Sequence, residues 1–239
     1  MKYAVYVEGK AELLFVADVL SKYSDYDQSF IGFNCITLNA DEYKFLGYPT
    51  QGNEKESTHF YQIVNVNNDG LVISKLKKDI PNLIRQGFEI IIGLRDVFGR
   101  DYQDLIDNQI IDNDLIRLMY EKQFNILKVD GKDIRLHYAI MEYETWMMAL
   151  MEKFILSNGG NVIEIFKNIG IHPKDDFEQT VYHPYNKIQE IYRAIHKRYG
   201  KHEHDYLSFL SSIELDDYET LRNSNRCISF KNFIDSLLP

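Results

Sequence analysis

The stretch VYVEGKAELLFVADVL, residues 5–20, decides the fold, because an apolar strand gives way within it to an apolar helix. Tyr3–Val7 is rich in β-branched and aromatic residues, as strands are, and Leu13–Leu20 carries apolar residues at helical spacing. Gly9 stands between them, where its permissive dihedrals allow a tight turn and a close approach of the backbone. The chain therefore opens with a strand, a turn and a helix.

The same alternation continues along the chain. The run EIIIGL at 89–94 is almost wholly apolar, which suits a central parallel strand covered on both faces. Further strands are predicted at 33–38, 60–66, 124–129 and 134–141, and helices at 72–86, 115–122 and 143–156. Strands that alternate with helices predict an α/β fold with a mostly parallel sheet flanked by helices.

Two segments depart from this alternation. Residues 39–59 are polar and contain Gly47, Pro49 and Gly52, so they are predicted to form a loop or insertion. Beyond Gly159 the pattern is mainly helical, without a predicted strand. We therefore expect an α/β domain at 1–158 with a polar insertion at about 39–59, and a mainly helical C-terminal region at 159–239 packed on it.

Composition restricts the class of protein. The chain has 27 Lys and Arg residues against 36 Asp and Glu residues, a formal net charge of −9, so any surface that binds nucleic acid must be local. Cys35 and Cys227 are too few for a disulfide framework and indicate buried thiols in a reducing compartment. No apolar run approaches the roughly 20 residues that span a bilayer, and Glu8 interrupts any signal-peptide core. We expect a cytoplasmic protein without a membrane partner.

Carboxylates follow three of the predicted strands. Glu8 follows the first strand, Asp96 follows the EIIIGL strand, and Glu142 and Glu144 follow the strand at 134–141. Because the carboxyl ends of parallel strands meet at one edge of a sheet, these acids are expected to converge there. Crowded carboxylates repel one another, and a bound cation relieves the repulsion. Oxygen ligands select Mg²⁺ or Mn²⁺, and Mg²⁺ often contacts substrate phosphates, so the sequence predicts a metal–phosphate site.

The residues that flank these acids are further candidates. Lys10 can contact a phosphate, and Glu12, in the first helical turn, can orient a metal-bound water or act as a second ligand. The helix dipole stabilises an acid at that position whatever its role, and this alternative stays open for Glu12. Arg95 and Arg100 flank Asp96 and can either neutralise phosphate charge or pair with the neighbouring acids.

Three stretches resemble the successive motifs of Toprim-like domains: VEGKAE at 7–12, IIIGLRD at 90–96 and MEYETW at 141–146. That domain occurs in topoisomerases, primases, OLD-type nucleases and small bacterial families linked to phage defence, and the resemblance is strongest to those small families. It implies a Mg²⁺-dependent fold for phosphoryl transfer, with Glu8 as metal ligand or general base and Asp96 as metal ligand, so that Glu8, Glu12 and Asp96 form the catalytic set. It further implies a nuclease that acts on DNA or RNA as a toxic effector in anti-phage defence, with an ATPase or other defence-system protein as its partner.

The sequence departs from the Toprim pattern after Asp96. Toprim domains usually carry Asp-x-Asp at this point, whereas Val97 and Phe98 follow Asp96 here. Asp101, or else Glu142 or Glu144, is expected to complete the metal site instead. The missing aspartate leaves a second class open, a non-catalytic Toprim-like module that binds nucleic acid, nucleotide or a protein partner.

A cluster of basic residues lies in the C-terminal third. Arg193, Lys197 and Lys201 recur every fourth residue and are expected to share a helical face that follows a nucleic-acid backbone, with Tyr192 and Tyr199 nearby for stacking. A solvated helix face is the alternative interpretation. In the resembling families a lysine that matches Lys201 often accompanies the acidic site, which makes Lys201 a candidate phosphate contact.

Overall fold

The sheet at the centre of the fold is mostly parallel. A computed structural model describes residues 1–40, 42–68, 70–106, 109–224 and 226–239, and within them six strands form one sheet in the order β3-β2-β4-β1-β5-β6. The strands are β1 Lys2–Val7, β2 Ile31–Asn39, β3 Glu42–Gln51, β4 His59–Asn65, β5 Ile90–Asp96 and β6 Asp133–Ala139. β1 runs parallel to β4 and β5, and β2 runs parallel to β4 but antiparallel to β3. The α/β class and the mostly parallel sheet are therefore confirmed.

Helices flank the sheet and make up most of the chain beyond Gly159. They are α1 Lys10–Tyr23, α2 Val72–Arg85, α3 Arg100–Gln103, α4 Asn113–Leu127, α5 Glu144–Ala149, α6 Glu152–Ser157, α7 Val162–Asn168, α8 Phe177–Thr180, α9 Pro184–Ala194, α10 Glu203–Leu210, α11 Leu215–Arg222 and α12 Ile228–Leu237. The mainly helical character predicted for 159–239 is confirmed for the described residues. None of the helices in the described ranges has the length and apolar character needed to cross a membrane.

The chain forms two compact units. The first consists of Met1–Arg95, Asn113–Tyr138 and Asp235–Pro239, and the second consists of Asp96–Asp112 and Ala139–Ile234. The two units alternate along the chain, so neither is a continuous stretch of sequence. The predicted boundary between 158 and 159 falls within the second unit.

The core of the first unit lies around β1 and β5. Tyr3 to Val7 of β1 are all buried, as expected for a strand with neighbours on both sides and helices over the sheet. Gly93 in β5 allows α2 to pack directly on the sheet, because a Cβ atom there would lie only 2.6 Å from Cδ1 of Leu76. The apolar run EIIIGL therefore does form a central strand.

The core of the second unit contains Trp146, in α5. Its ring lies 5.6 Å from the ring of Phe230 and 5.6 Å from that of Phe233, and its Nε1 donates a hydrogen bond to Oγ of Ser229 at 3.0 Å. Glu178 accepts a hydrogen bond from the Ser229 backbone N–H at 3.0 Å, at the start of α12. This contact stabilises the helix end, where a backbone N–H lacks a partner within the helix.

Two secondary-structure predictions in the first unit were wrong, and the helix predicted at 143–156 is divided into α5 and α6. The predicted loop at 39–59 contains β3, because Tyr43, Phe45 and Tyr48 favour a strand and the segment pairs with β2; Asp41 in that loop lies outside the described residues. The predicted strand at 124–129 is mostly the last part of α4, where Phe124 stacks on Tyr120 one helical turn earlier, with ring centroids 5.8 Å apart. A short apolar run does not distinguish a strand from a helix by itself.

Candidate functional site

A charged group in the second unit joins three of the predicted site residues. Nζ of Lys201 lies 2.9 Å from Oε1 of Glu144 and 3.5 Å from Oε1 of Glu142. The side chain of Glu144 is 2% exposed and that of Glu142 is 15% exposed, whereas that of Lys201 is 41% exposed. The two carboxylates therefore extend from the interior towards a lysine at the surface. We call Asp96, Glu142, Glu144 and Lys201 the carboxylate–lysine group.

Asp96 is included in this group because it contacts the segment that carries the two glutamates. Its Oδ1 accepts a hydrogen bond of 2.9 Å from the backbone N–H of Tyr143, the residue between Glu142 and Glu144. Its charge also acts on Lys201. The predicted proximity of the acids after the second and third motif strands is thus present within this unit.

Two tyrosines fix the glutamates in place. The hydroxyl of Tyr199 donates to Oε1 of Glu144 at 2.9 Å, and burial raises the pKa of Tyr199, so this hydroxyl keeps its proton. The backbone N–H of Tyr185, in the first turn of α9, donates to Oε2 of Glu142 at 3.1 Å. The Tyr185 ring also lies 4.9 Å from Nζ of Lys201, within the range of a cation–π contact.

The backbone is strained at two positions in or next to the group. Met141, directly before Glu142, has a φ of +63°, and Lys201 itself has a φ of +58°. Residues other than glycine adopt such values at a cost of about 1–3 kcal/mol, and they do so where the surrounding structure holds them. Such strain often occurs at functional sites, which makes this group the leading candidate in the second unit.

The electrostatics of the group leave negative charge in excess. Burial raises the pKa of Glu142, and the nearby Glu144 carboxylate adds to the rise, while Lys201 opposes it. For Lys201, burial lowers the pKa, but the Glu144 and Glu142 carboxylates outweigh burial, so the pKa lies above the ordinary value of a lysine. Two glutamates contact the ammonium group of Lys201, and the charge of Asp96 also acts on it.

The first unit holds a buried ion pair. Nε of Arg95 lies 3.7 Å from Oε1 of Glu8, and both residues are buried. Oε1 of Glu8 also accepts a hydrogen bond of 3.2 Å from the backbone N–H of Gly70. Nη1 of Arg95 donates to Oε1 of Gln123 at 2.9 Å. Of the two roles open for Arg95, pairing with a neighbouring acid is the one that the structure contains.

Lys10 and Glu12, which follow the turn between β1 and α1, differ in their exposure to solvent. Lys10 is exposed at the first position of α1, whereas Glu12 is buried in the first turn. A Cβ atom at position 9 would lie 3.0 Å from Oε2 of Glu12, so glycine at this turn leaves room for that carboxylate. The backbone of Gly9 is extended, with a φ of −139°, and its predicted close approach to a phosphate or metal stays a prediction.

The structure divides the predicted site residues between the units. Glu8, Lys10, Glu12 and Arg95 belong to the first unit, and Asp96, Arg100, Asp101, Glu142, Glu144, Arg193, Lys197 and Lys201 belong to the second. Arg100 and Asp101 are exposed in the short helix α3. In the ranges that the structure describes, no three His, Cys, Asp or Glu side chains are arranged to hold a metal ion. A metal ion shared by Glu8 and Asp96 stays a prediction.

The predicted basic stripe was wrong. Helix α9 ends at Ala194, so Lys197 and Lys201 lie beyond it and do not share a helical face with Arg193. The predicted stacking residues, Tyr192 and Tyr199, are buried. Lys197 instead lies over the ring of Phe154, with Nζ 5.4 Å from the centroid. The helix ends early because His196 adopts a left-handed φ of +59°, which spacing alone does not reveal.

Half-exposed aromatic rings near the carboxylate–lysine group were not predicted. The Phe98 ring lies 5.4 Å from that of Tyr182 and 5.2 Å from that of His183. The backbone N–H of Phe98 donates to the carbonyl of Met141, next to Glu142, and Tyr185 follows His183 by two residues. Pro184 in the first turn of α9 is a helix-start signal that could have located this segment.

The chain is thus an α/β protein in which a carboxylate–lysine group lies where two strands of the sheet end. The chain belongs to the family described as Domain of unknown function (DUF4276), whose sequence model matches residues 7–238. No curated protein and no solved structure matches the chain.

Proposed function

We propose that the chain is a Toprim-like nuclease, which hydrolyses phosphodiester bonds of DNA or RNA with Mg²⁺ or Mn²⁺. The observation that carries the proposal is the excess of carboxylates over lysine at Asp96, Glu142, Glu144 and Lys201, on segments that follow two strands of a mostly parallel sheet. The motif resemblance supplies the reaction class. From the same resemblance we propose that the chain acts as an effector in anti-phage defence, with an ATPase or other defence protein as its partner. Two buried cysteines fit a reducing, cytoplasmic location.

The donor atoms suit the metal, but the arrangement of the described side chains does not supply a complete site. Carboxylate oxygens are the ligands that Mg²⁺ and Mn²⁺ prefer. The ammonium of Lys201, however, lies against both glutamates, and no three candidate ligands in the described ranges are arranged around one point. Bound metal would supply a water of lowered pKa and a Lewis acid for the phosphate.

The residues of the second unit have roles that do not depend on the metal. Lys201 holds Glu142 and Glu144 at a fixed spacing and keeps its charge, since its pKa is raised. Tyr199 orients the Glu144 carboxylate by its hydroxyl hydrogen bond. The half-exposed rings of Phe98, Tyr182 and His183 present faces on which nucleic-acid bases can stack.

One observation favours a second candidate function, a non-catalytic Toprim-like module that binds nucleic acid, nucleotide or a protein partner. Lys201 partly neutralises the two glutamates without any ligand, so the group can be a stable structural element. The absence of the second aspartate after Asp96 points the same way. A module of this kind would bind its partner without cleaving it.

Cleavage of labelled DNA and RNA in the presence of Mg²⁺ or Mn²⁺ separates the two candidates. The nuclease proposal predicts cleavage by the wild-type chain and its loss, by about a hundredfold or more, in the separate variants Asp96→Asn and Glu8→Gln. Glu152→Gln is a matched control, because Glu152 is an exposed acid at the start of α6. Binding without cleavage by the wild-type chain would favour the non-catalytic module. Undiminished cleavage by both site variants would refute the assigned residues.

A further inference from the structure

The turn that carries Lys201 is fixed by a buried carboxylate. Oδ2 of Asp205 accepts hydrogen bonds of 3.0 Å from the backbone N–H groups of Gly200 and His202, the residues on either side of Lys201. These bonds hold the backbone of Lys201 in its left-handed conformation, with a φ of +58°. The side chain beyond this turn is a flexible aliphatic chain, so it is the part of Lys201 that can move.

Glu142 and Glu144 each have a neutral hydrogen-bond donor in addition to Lys201. The backbone N–H of Tyr185 donates to Oε2 of Glu142 at 3.1 Å, and the hydroxyl of Tyr199 donates to Oε1 of Glu144 at 2.9 Å. Neither bond involves Lys201, so both donors remain when the ammonium group moves. Only the positive charge is then missing, and a different cation can supply it.

We propose that the ammonium group of Lys201 competes with a divalent cation for Glu142 and Glu144, so that Mg²⁺ or Mn²⁺ binds them only when this group moves away. Nζ lies 2.9 Å from Oε1 of Glu144 and 3.5 Å from Oε1 of Glu142, so both carboxylates already contact a cation. An ammonium group and a metal ion at the same two carboxylates repel each other. The lysine has the advantage, because its attachment to the fixed turn gives it a high effective concentration there.

The competition accounts for the incomplete metal site. In the part of the chain that the structure describes, no three candidate ligands are arranged to hold a metal ion, although Asp96 ends β5 and two glutamates follow β6. The carboxylate–lysine group is closed to the ion while the ammonium group of Lys201 occupies it. The inference rests on the proposed function for the choice of Mg²⁺ or Mn²⁺ as the competing ion.

The surroundings of Lys201 allow its side chain to move. That side chain is 41% exposed, whereas that of Glu144 is 2% exposed, so the ammonium group can turn into solvent while the carboxylate stays in place. The ring of Tyr185 lies 4.9 Å from Nζ, and a cation–π contact at an exposed position is weak. Movement therefore requires a different side-chain rotamer of Lys201 and no change in the turn.

Calorimetric Mn²⁺ titration of variants at position 201 tests the competition. Lys201→Met removes the ammonium group and should bind Mn²⁺ about tenfold or more tightly than wild type does, because the ion no longer has to displace a tethered cation. Lys201→Arg keeps a positive charge beside the glutamates and should not gain affinity. Lys197→Met is the control for net charge, since Lys197 is exposed and lies over the ring of Phe154, and its Mn²⁺ affinity should stay within about twofold of wild type.

A second substitution locates the additional ion. Glu144→Gln, added to Lys201→Met, should abolish the gain, whereas Glu152→Gln in the same background should retain it, because Glu152 is an exposed acid in α6. If circular dichroism shows that Lys201→Met does not fold, Lys201→Gln provides the same comparison, since its amide N–H can still donate to Glu144.

Three results would overturn the proposal: no gain in the folded variant that lacks the ammonium group, an equal gain in Lys201→Arg or Lys197→Met, or a gain that persists after Glu144→Gln. Failure of the nuclease proposal gives a different result. A wild-type chain that neither cleaves nucleic acid nor binds Mn²⁺ would contradict the nuclease, but Lys201→Met should still acquire Mn²⁺ affinity.

Discussion

Within the described residues, Lys201 is the one cation that contacts Glu142 and Glu144, the two glutamates that follow β6. It contacts Glu144 at 2.9 Å and Glu142 at 3.5 Å, and it adopts a left-handed backbone conformation to do so. If the lysine is removed, Glu144 stays buried without its cationic partner. The charge of Lys201 should therefore be worth more to the fold than that of an ordinary surface lysine.

Replacing Lys201 with methionine keeps much of the side-chain bulk and removes the charge. We expect Lys201→Met to lower the free energy of unfolding by about 1–3 kcal/mol at neutral pH, with the lower end favoured because the side chain is 41% exposed. Urea unfolding measures this difference. Lys197→Met is the matched control, and its effect should stay within about 0.5 kcal/mol.

The pH dependence separates a lost charge from lost packing. Because the pKa of Lys201 is raised in the folded state, its contribution is complete below the ordinary lysine pKa and decreases only as pH rises through the raised value. Burial raises the pKa of Glu142, so this carboxylate is neutralised as the pH falls and its attraction to Lys201 is lost. The stability difference between wild type and Lys201→Met should therefore shrink as pH falls below the carboxyl range. A difference that is constant with pH would show that the loss arises from packing.

The sequence identified the charged members of this group but not the residues that orient them. Glu142 and Glu144 could be found because they follow a predicted strand, and Lys201 because of the family resemblance. Tyr199 lies 55 residues from Glu144, and its hydroxyl contact carries no spacing signal. Such a contact depends on the path of the chain between the two residues, which local patterns do not contain.

At the scale of the elements, a single residue, Gly93, sets the distance at which helix α2 packs on strand β5. Gly93 lies in β5 between buried neighbours, and a Cβ atom there would meet Cδ1 of Leu76 at 2.6 Å and Cδ1 of Leu136 at 3.3 Å. Both leucines are buried, so neither side chain can move away freely. The glycine is therefore part of the packing between helix and sheet.

Gly93→Ala should destabilise the protein by about 1–3 kcal/mol, because the added methyl group overpacks this contact. Gly47→Ala is the matched control, since no atom lies within 4 Å of a Cβ at position 47 and this glycine also lies in a strand. Thermal unfolding of the two variants compares them. Equal stability of Gly93→Ala and wild type would contradict the close packing of α2 on β5.

Periodicity predicted most strands and helices, and it failed where tertiary pairing decided the outcome. The central strands β1 and β5 are mostly apolar and were predicted at nearly their observed positions. Strand β3 was missed because its polar and aromatic residues form a strand only by pairing with β2. The end of α9 was missed because a left-handed residue, His196, follows it without any proline or glycine signal.

At the scale of the whole molecule, the chain passes back and forth between two compact units. The DUF4276 match, residues 7–238, covers segments of both units. A domain boundary predicted from composition assumes that each domain is one continuous segment of sequence. Neither unit of this chain is continuous. The proposed metal site adds a second prediction at this scale, since it assigns Glu8 and Asp96 to one ion.

A double-mutant cycle on Mn²⁺ affinity, measured by calorimetry, tests that central claim most directly. If Glu8 and Asp96 hold the same ion, Glu8→Gln and Asp96→Asn should each weaken Mn²⁺ binding about tenfold or more, and the double variant should bind little more weakly than either single variant. Independent, additive losses, or no measurable Mn²⁺ binding by the wild-type chain, would contradict a shared metal site and with it the proposed nuclease.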